Sequence, residues 1–321
     1  MASLAAAPAA AACSAAAPQR RRTAFAAGSS ISLAPCLQRR LAAAAVPLRQ
    51  QQRGRLAVAA AAAADAAAET QQTGFKPEKP TLFGVPVSNC AARNRFVIYK
   101  KGLEGEVDVQ PPKLLGEKGV KSPAYLALNP QGKMPLLVLP DGTPLPESQV
   151  IEAYLLDKYA GVGPSLQPPT PELRAKAQLA GRIHDLYIQP LQGCMYKKMD
   201  AAARCEQLQS IDFQLDVLEG IFDEANGPFV AGSEISFGDA ALFPTFAFFT
   251  EILPKHFGWP TVFSGRPKLE RWWAAVQKDA EAARVIGEMR AGLADWESQK
   301  RWDTLGISAQ VADGSFNWSC A

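Results

Sequence analysis

Ser88, Asn89 and Cys90 place a hydroxyl, an amide and a thiol in consecutive positions where an extended run gives way to a helical one. Thr81–Val85 reads as a short strand, broken by Pro86, and the helical run from Ala91 to Lys101 ends at Gly102. The first N–H groups of a helix have no intrahelical partner, and the helix dipole favours negative charge at that end. A Ser there can hold a thiolate by hydrogen bond, and a Cys there can become one. The plainer reading, in which Ser88 only caps the helix, is compatible with the same residues.

Three later features also stand where one element gives way to another. Gly132-Lys133-Met134-Pro135 precedes a compact apolar strand, Leu136–Leu139, and Asp141-Gly142 marks a hairpin turn before Thr143–Leu145. Glu147-Ser148 opens a helix carrying Val150, Ile151, Tyr154, Leu155 and Tyr159 at helical spacing. Ser236 with Asp239 three residues later forms a capping box, with Ile235 at the staple position before the apolar run Ala240–Phe243. That cap is read as structural.

These stretches need a scaffold, and the hydrophobic pattern supplies one. Strand 81–85, helix 91–101, strand 106–109, a short helix 122–128, strands 136–139 and 143–145 and the helix from 147 give the order βαβ, short helix, ββα, an α/β layer of thioredoxin type over residues 80–160. Residues 161–171 are rich in Pro and Gly and read as a linker. Residues 172–293 are helical throughout, an all-α bundle, with one face marked by Leu173, Ala177, Ala180, His184, Tyr187 and Leu191 and another by Leu208, Ile211, Leu215, Leu218 and Phe222. Phe243 and Phe246 read as core. Residues 65–79 are a lead-in, and 294–321 exceed what the bundle needs.

Composition narrows the class. Residues 1–64 contain no Asp or Glu but eight Arg, in an Ala-rich background: the pattern of an organellar transit peptide, predicting a plastid with the mitochondrion as alternative. Of 34 basic residues those eight leave 26 against 31 acids, so the rest of the chain is mildly acidic and offers no nucleic-acid footprint. No apolar run reaches the roughly 20 residues a membrane span needs. Cys90, Cys194, Cys205 and Cys320 are scattered, which indicates free thiols, and neither His184 nor His256 stands at metal-ligand spacing, so no metal is expected.

A thioredoxin-like domain, a short linker and a helical domain with this capping box resemble the glutathione S-transferases over roughly Pro80–Leu293. The resemblance implies that Ser88, with Arg93 five residues on, donates a hydrogen bond to the sulfur of glutathione. It also implies that Met134 offers its backbone to the cysteinyl unit before a cis-Pro135, with Lys133 near the glycyl carboxylate. Glu147 and Ser148 would take the γ-glutamyl ammonium and carboxylate. It implies a homodimer and an apolar electrophile in the cleft, with Arg174, Gln178 and Arg182 as regional candidates. Ser88-Asn89-Cys90 is similar to the Ser-Ser-Cys of the zeta class, but Asn89 and Ala92 depart from it, so the class stays open. The alternatives are reduction of organic peroxides, disulfide or peroxide chemistry through Cys90, maleylacetoacetate isomerase-like activity, and a non-enzymatic binding protein that kept the fold.

Overall fold

The computed structural model describes residues 74–222 and 227–320; the expected transit segment lies outside them. The first layer is a four-stranded sheet in the order β2-β1-β3-β4. Its strands are β1 (Thr81–Phe83), β2 (Asp108–Gln110), β3 (Leu136–Val138) and β4 (Pro144–Pro146). β1 runs parallel to β2, with Leu82 opposite Val109, and antiparallel to β3, with Leu82 opposite Leu137. The two prolines of β4 are tolerated because it is an edge strand. The parallel pair is joined through helix α1 (Asn89–Lys100), the crossover that parallel strands require. α2 (Pro123–Leu128) and α3 (Ser148–Lys158) complete the layer.

The second layer holds α4 (Pro171–Ile183), α5 (Ala201–Ile221), α6 (Phe237–Phe257), α7 (Pro267–Val276) and α8 (Ala280–Ser298). α6 is the central helix, buried nearly all round from Gly238 to Phe249, as its unbroken apolar composition requires. α4 crosses it where Gly238 has no side chain: a Cβ there would stand 2.8 Å from the Ala177 Cα. Ser236 and Asp239 form the expected capping box at its start.

The helical reading from Leu173 to Leu191 is corrected in one respect. α4 ends at Ile183, a single π-helical turn covers His184–Ile188, and a 3₁₀ stretch runs Gln189–Met195. Pro190 has no N–H to give, so the α-ladder cannot continue through it, and the wider turn absorbs the mismatch.

α8 anchors α1 to the bundle. Arg95 Nε pairs with Glu288 Oε2 at 3.0 Å, and the Tyr99 hydroxyl donates to Glu288 Oε1 at 3.0 Å. Lys100 reaches Asp279 and Glu281 at 2.5 and 2.8 Å. The residues after α8 form α9 (Arg301–Thr304) and α10 (Ile307–Ala312) and pack on the bundle. Trp302 donates its indole N–H to Met195 O at 2.9 Å and stacks on His256 at 4.0 Å. Gln310 accepts from Arg204 Nε at 2.8 Å and donates to Met199 O at 2.9 Å. The extension beyond α8 thus clamps the backbone of residues 195–199. Among the described residues no helix is long and apolar enough to cross a membrane.

Candidate functional site

Ser88 is the N-cap of α1, in extended backbone, and its Oγ accepts the Ala91 N–H at 3.3 Å. Among the described residues its own hydrogen is committed to no acceptor, so capping leaves the hydroxyl able to donate. Cys90 lies in the first turn of the same helix and is half-buried. Burial pushes its thiol up from the usual range, only partly offset by the Arg93 cation. At neutral pH Cys90 is therefore a thiol.

Beside Cys90 opens a cavity of about 430 Å³ whose wall includes Lys133, Met134, Pro135, Glu147, Ser148 and Arg182. The three stretches singled out in the sequence therefore meet at one place. The Met134–Pro135 peptide is cis. The Lys133 carbonyl is held from behind by the Tyr125 hydroxyl at 2.7 Å and Asn129 Nδ2 at 2.8 Å. Glu147 has φ 73, a left-handed conformation for a residue with a side chain, costing roughly 1–3 kcal/mol and found mostly where function holds it. It leaves Ser148 as the first residue of α3, with the helix N-terminus facing the cavity.

Not every candidate gathers there. Ser88 stands outside the lining of this cavity, which Cys90 reaches instead. Arg174 and Gln178 line a separate hollow of 270 Å³ with Gln149 and Glu152, and Arg174 is spent on the Pro168 and Pro169 carbonyls at 3.0 Å. Arg182, two turns beyond Arg174, is the member of that group that reaches the cavity. Ser236 and Asp239 are buried elsewhere, at the start of α6. The larger hollow of 520 Å³, between the linker and residues 229–236, is lined by one candidate residue, Ser236, whose role there is the cap of α6.

An ionic group joins the cavity wall, through Asp185, to a cation buried behind it. Arg93, 2 % exposed, forks onto Asp185 at 2.8 and 3.2 Å and donates to Ser148 Oγ at 3.3 Å. Asn94 Nδ2 holds the Ser148 carbonyl at 2.9 Å. Burial opposes charge on both Arg93 and Asp185. The opposing partners prevail: Glu152 and Asp185 hold the guanidinium firmly protonated, and the His184 hydrogen bond together with Arg93 holds the Asp185 carboxyl well below the usual range. His184 is kept below its usual range by burial, and so is neutral.

Glu152, 4 % exposed, has an Oε1 with no partner, and burial lifts its pKa to about 8 although Arg93 opposes the shift. A carboxyl raised on folding stabilises fully below its unfolded value. That contribution is lost as pH rises from about 4.5 through about 8. E152Q, which cannot ionise, is expected to abolish that part of the alkaline decline, as read by urea unfolding across this range.

In the sequence Arg93 is marked only by its spacing from Ser88, and His184 stands on a helix face. The usable signal was a polar residue inside an apolar stripe: His184 follows Ala177 and Ala180, and Thr245 interrupts the run Ala240–Phe249.

Residues 82–165 match the model of the glutathione S-transferase N-terminal domain, and residues 199–275 that of the C-terminal domain. Glutathione S-transferase 3 of Zea mays is 31 % identical over 210 residues, covering 61 % of this chain and 87 % of that one. Maleylacetoacetate isomerase of Rattus norvegicus is 29 % identical over 172 residues, covering 53 % and 77 %. The structure of glutathione S-transferase III in apo form superposes with a TM-score of 0.54 at 27 % identity, over 65 % of this chain and 96 % of that one. Two matching domain models in the expected order, around a cavity built from the cis-proline and the start of α3, establish that this chain belongs to the glutathione S-transferase family.

Proposed function

We propose that this enzyme conjugates glutathione to apolar electrophiles, with the thiolate of bound glutathione stabilised by Ser88. The observation that carries the reading is the convergence of cis-Met134–Pro135, Glu147 and Ser148 on one cavity at the N-terminus of α1. In it the γ-glutamyl carboxylate meets the Ser148 N–H and hydroxyl, the ammonium meets Glu147 and the glycyl carboxylate meets Lys133. A free thiol titrates near 8.5, and lowering it by about two units requires roughly 2.7 kcal/mol. One hydroxyl donating to a charged acceptor supplies about 1.5–3 kcal/mol, and the helix terminus up to about 1. No general base is needed, and Ser88 has an uncommitted hydrogen for the task.

S88A is expected to lower kcat/KM for a model aryl halide by about ten- to a hundredfold, the range those energies convert to. Activity within twofold of wild type removes Ser88 from the role.

A second reading is favoured by one observation: Cys90 lines the cavity, whereas Ser88 does not. Cys90 would then attack the glutathionyl sulfur of a mixed disulfide, releasing the other thiol, and a second glutathione would attack the Cys90–glutathione disulfide, releasing glutathione disulfide and the free Cys90 thiolate. Its protonated state counts against this, since the thiolate is the attacking species. Loss of mixed-disulfide reduction in C90S, set against loss of conjugation in S88A, separates the two. Maleylacetone belongs in the same substrate screen, because a relative is named for isomerising the parent compound. Family membership supports a homodimer, and the acid-free, Arg-rich first 64 residues support import into a plastid. Sedimentation of the purified chain and N-terminal sequencing of the imported protein test these.

A further inference from the structure

An unbroken row of side chains drawn from both layers runs from the start of α1 to the start of α3 and surfaces in the cavity wall at Asp185 and Ser148. The row begins at Asn89, the first residue of α1, between Ser88 and Cys90. Asn89 Nδ2 donates to Gln192 Oε1 at 2.8 Å and to Thr245 Oγ1 at 3.1 Å, while its Oδ1 accepts the Cys90 N–H at 2.9 Å. Gln192 Nε2 donates to Thr245 Oγ1 at 2.7 Å. Thr245 lies 2.7 Å from His184 Nε2, and His184 Nδ1 lies 2.8 Å from Asp185 Oδ1. Arg93 then carries the row from Asp185 to Ser148 at the other end.

Counting protons fixes the direction of each bond. A threonine hydroxyl has one hydrogen and two lone pairs. The amide N–H groups of Asn89 and Gln192 both donate into Thr245, so its single hydrogen goes to His184 Nε2. The imidazole is therefore unprotonated at Nε2 and carries its hydrogen on Nδ1, where the Asp185 carboxylate accepts it at 2.8 Å; Arg93 Nη2, 3.5 Å from the same nitrogen, is too distant to claim it as an acceptor. Burial, which keeps His184 neutral, agrees with this tautomer. Thr245 is 1 % exposed and Gln192 also 1 %, so water cannot replace a lost partner, and an orphaned polar group here carries its full desolvation cost. Valine has nearly the same shape as threonine and would satisfy a purely apolar helix between Phe243 and Phe246. The hydroxyl answers only to the row.

We propose that Thr245 is a positioning residue of the thiol site. It acts through Asn89 on the start of α1, and through His184, Asp185 and Arg93 on Ser148. It thereby fixes the separation between the group that holds the sulfur and the group that holds the γ-glutamyl carboxylate. This inference rests on the glutathione reading given above. Its chemical content is geometric: a thiolate held by one hydroxyl loses stabilisation steeply when the donor moves by a few tenths of an ångström or tilts, and misplacement by about 1 Å can cost about a hundredfold in rate.

The test uses the full-length chain as wild type, T245V, T245S and N89A. The probe is glutathione, with S-methylglutathione as the blank that carries no ionisable thiol. Three quantities are read: the dissociation constant for glutathione by calorimetry, the apparent pKa of the bound thiol from thiolate ultraviolet absorbance against pH, and the melting temperature.

T245V is expected to raise the bound-thiol pKa by about one unit, to move the acid limb of the kcat/KM profile by the same amount and to lower kcat/KM about tenfold near neutral pH. T245S, which keeps the hydroxyl, is expected to restore the pKa. N89A changes a partly exposed helix-start residue, folds irrespective of how the core tolerates valine, and is expected to shift the pKa in the same direction. A T245V protein that melts lower but keeps the wild-type thiol pKa assigns Thr245 to packing alone and overturns the proposal. If T245V does not fold, N89A decides by itself: a bound-thiol pKa unchanged from wild type overturns it. Wild-type protein that binds no glutathione overturns the glutathione reading and this inference together, and that titration comes first.

Discussion

D239A is expected to destabilise the protein by about 4 kcal/mol, the largest single effect of any substitution considered. Asp239 is fully buried and its two oxygens accept from four donors. Oδ1 takes the Val230 N–H at 2.9 Å and the Trp272 indole N–H at 2.8 Å; Oδ2 takes the Ser236 N–H at 2.8 Å and the Ser236 hydroxyl at 2.7 Å. The residue therefore does more than cap α6. It ties the cap to the loop at Val230 and to α7 through Trp272. Alanine leaves four buried donors without an acceptor, and each orphaned donor costs about 1–3 kcal/mol, with relaxation keeping the sum below simple addition. An ordinary N-cap replacement costs about 1 kcal/mol, so the two accounts differ by a measurable margin. Urea unfolding of D239A decides: a loss near 1 kcal/mol reduces Asp239 to a helix cap, while a loss of about 4 matches the four-donor geometry. S236A, which removes one donor and leaves the carboxylate, is expected to cost far less.

The second large effect is expected at Arg93. R93M keeps the bulk of the side chain but removes the cation that neutralises Asp185 and donates to Ser148. Breaking a buried pair by deleting one partner costs about 3–5 kcal/mol, because the remaining charge is stranded. Asp185 is a fifth exposed, which places R93M towards the lower end of that range. The same substitution releases the Ser148 hydroxyl, so affinity for glutathione is expected to fall along with stability. Pairing it with D185N separates the effects. The double variant has no stranded charge and is expected to recover much of the stability while leaving the affinity low. If the double variant recovers both, Arg93 has no part in holding Ser148.

Much of the scaffold was legible because local and global signals agreed. Leu82, Leu137 and Val138 lie in short apolar runs bounded by Pro and Gly, and they became central strands. Ser236 and Asp239 announced the start of α6 at the right residue. Pro190 was visible too, but its effect, a π turn followed by a 3₁₀ stretch, depends on how His184 and Ile188 pack and cannot be read from spacing.

The site divided in the same way. Pro135 and Ser148 stand at element boundaries that the pattern marks, and they meet in one cavity; Ser88, marked in the same way, stands outside its lining, which Cys90 reaches instead. Arg174 and Gln178 were drawn from a helix face whose direction the sequence leaves undetermined, and they point to another hollow. His184, Gln192 and Thr245 come from three segments up to 61 residues apart. Their meeting is a property of packing, and only the oddness of a polar residue in an apolar stripe hinted at it.

The most direct measurement is a crystal structure of the chain soaked in glutathione. The account predicts the γ-glutamyl carboxylate on the Ser148 N–H and hydroxyl, the cysteinyl backbone against Met134, and the sulfur within hydrogen-bonding reach of Ser88 Oγ. An empty cavity, or a sulfur bonded to Cys90 and turned away from Ser88, contradicts it.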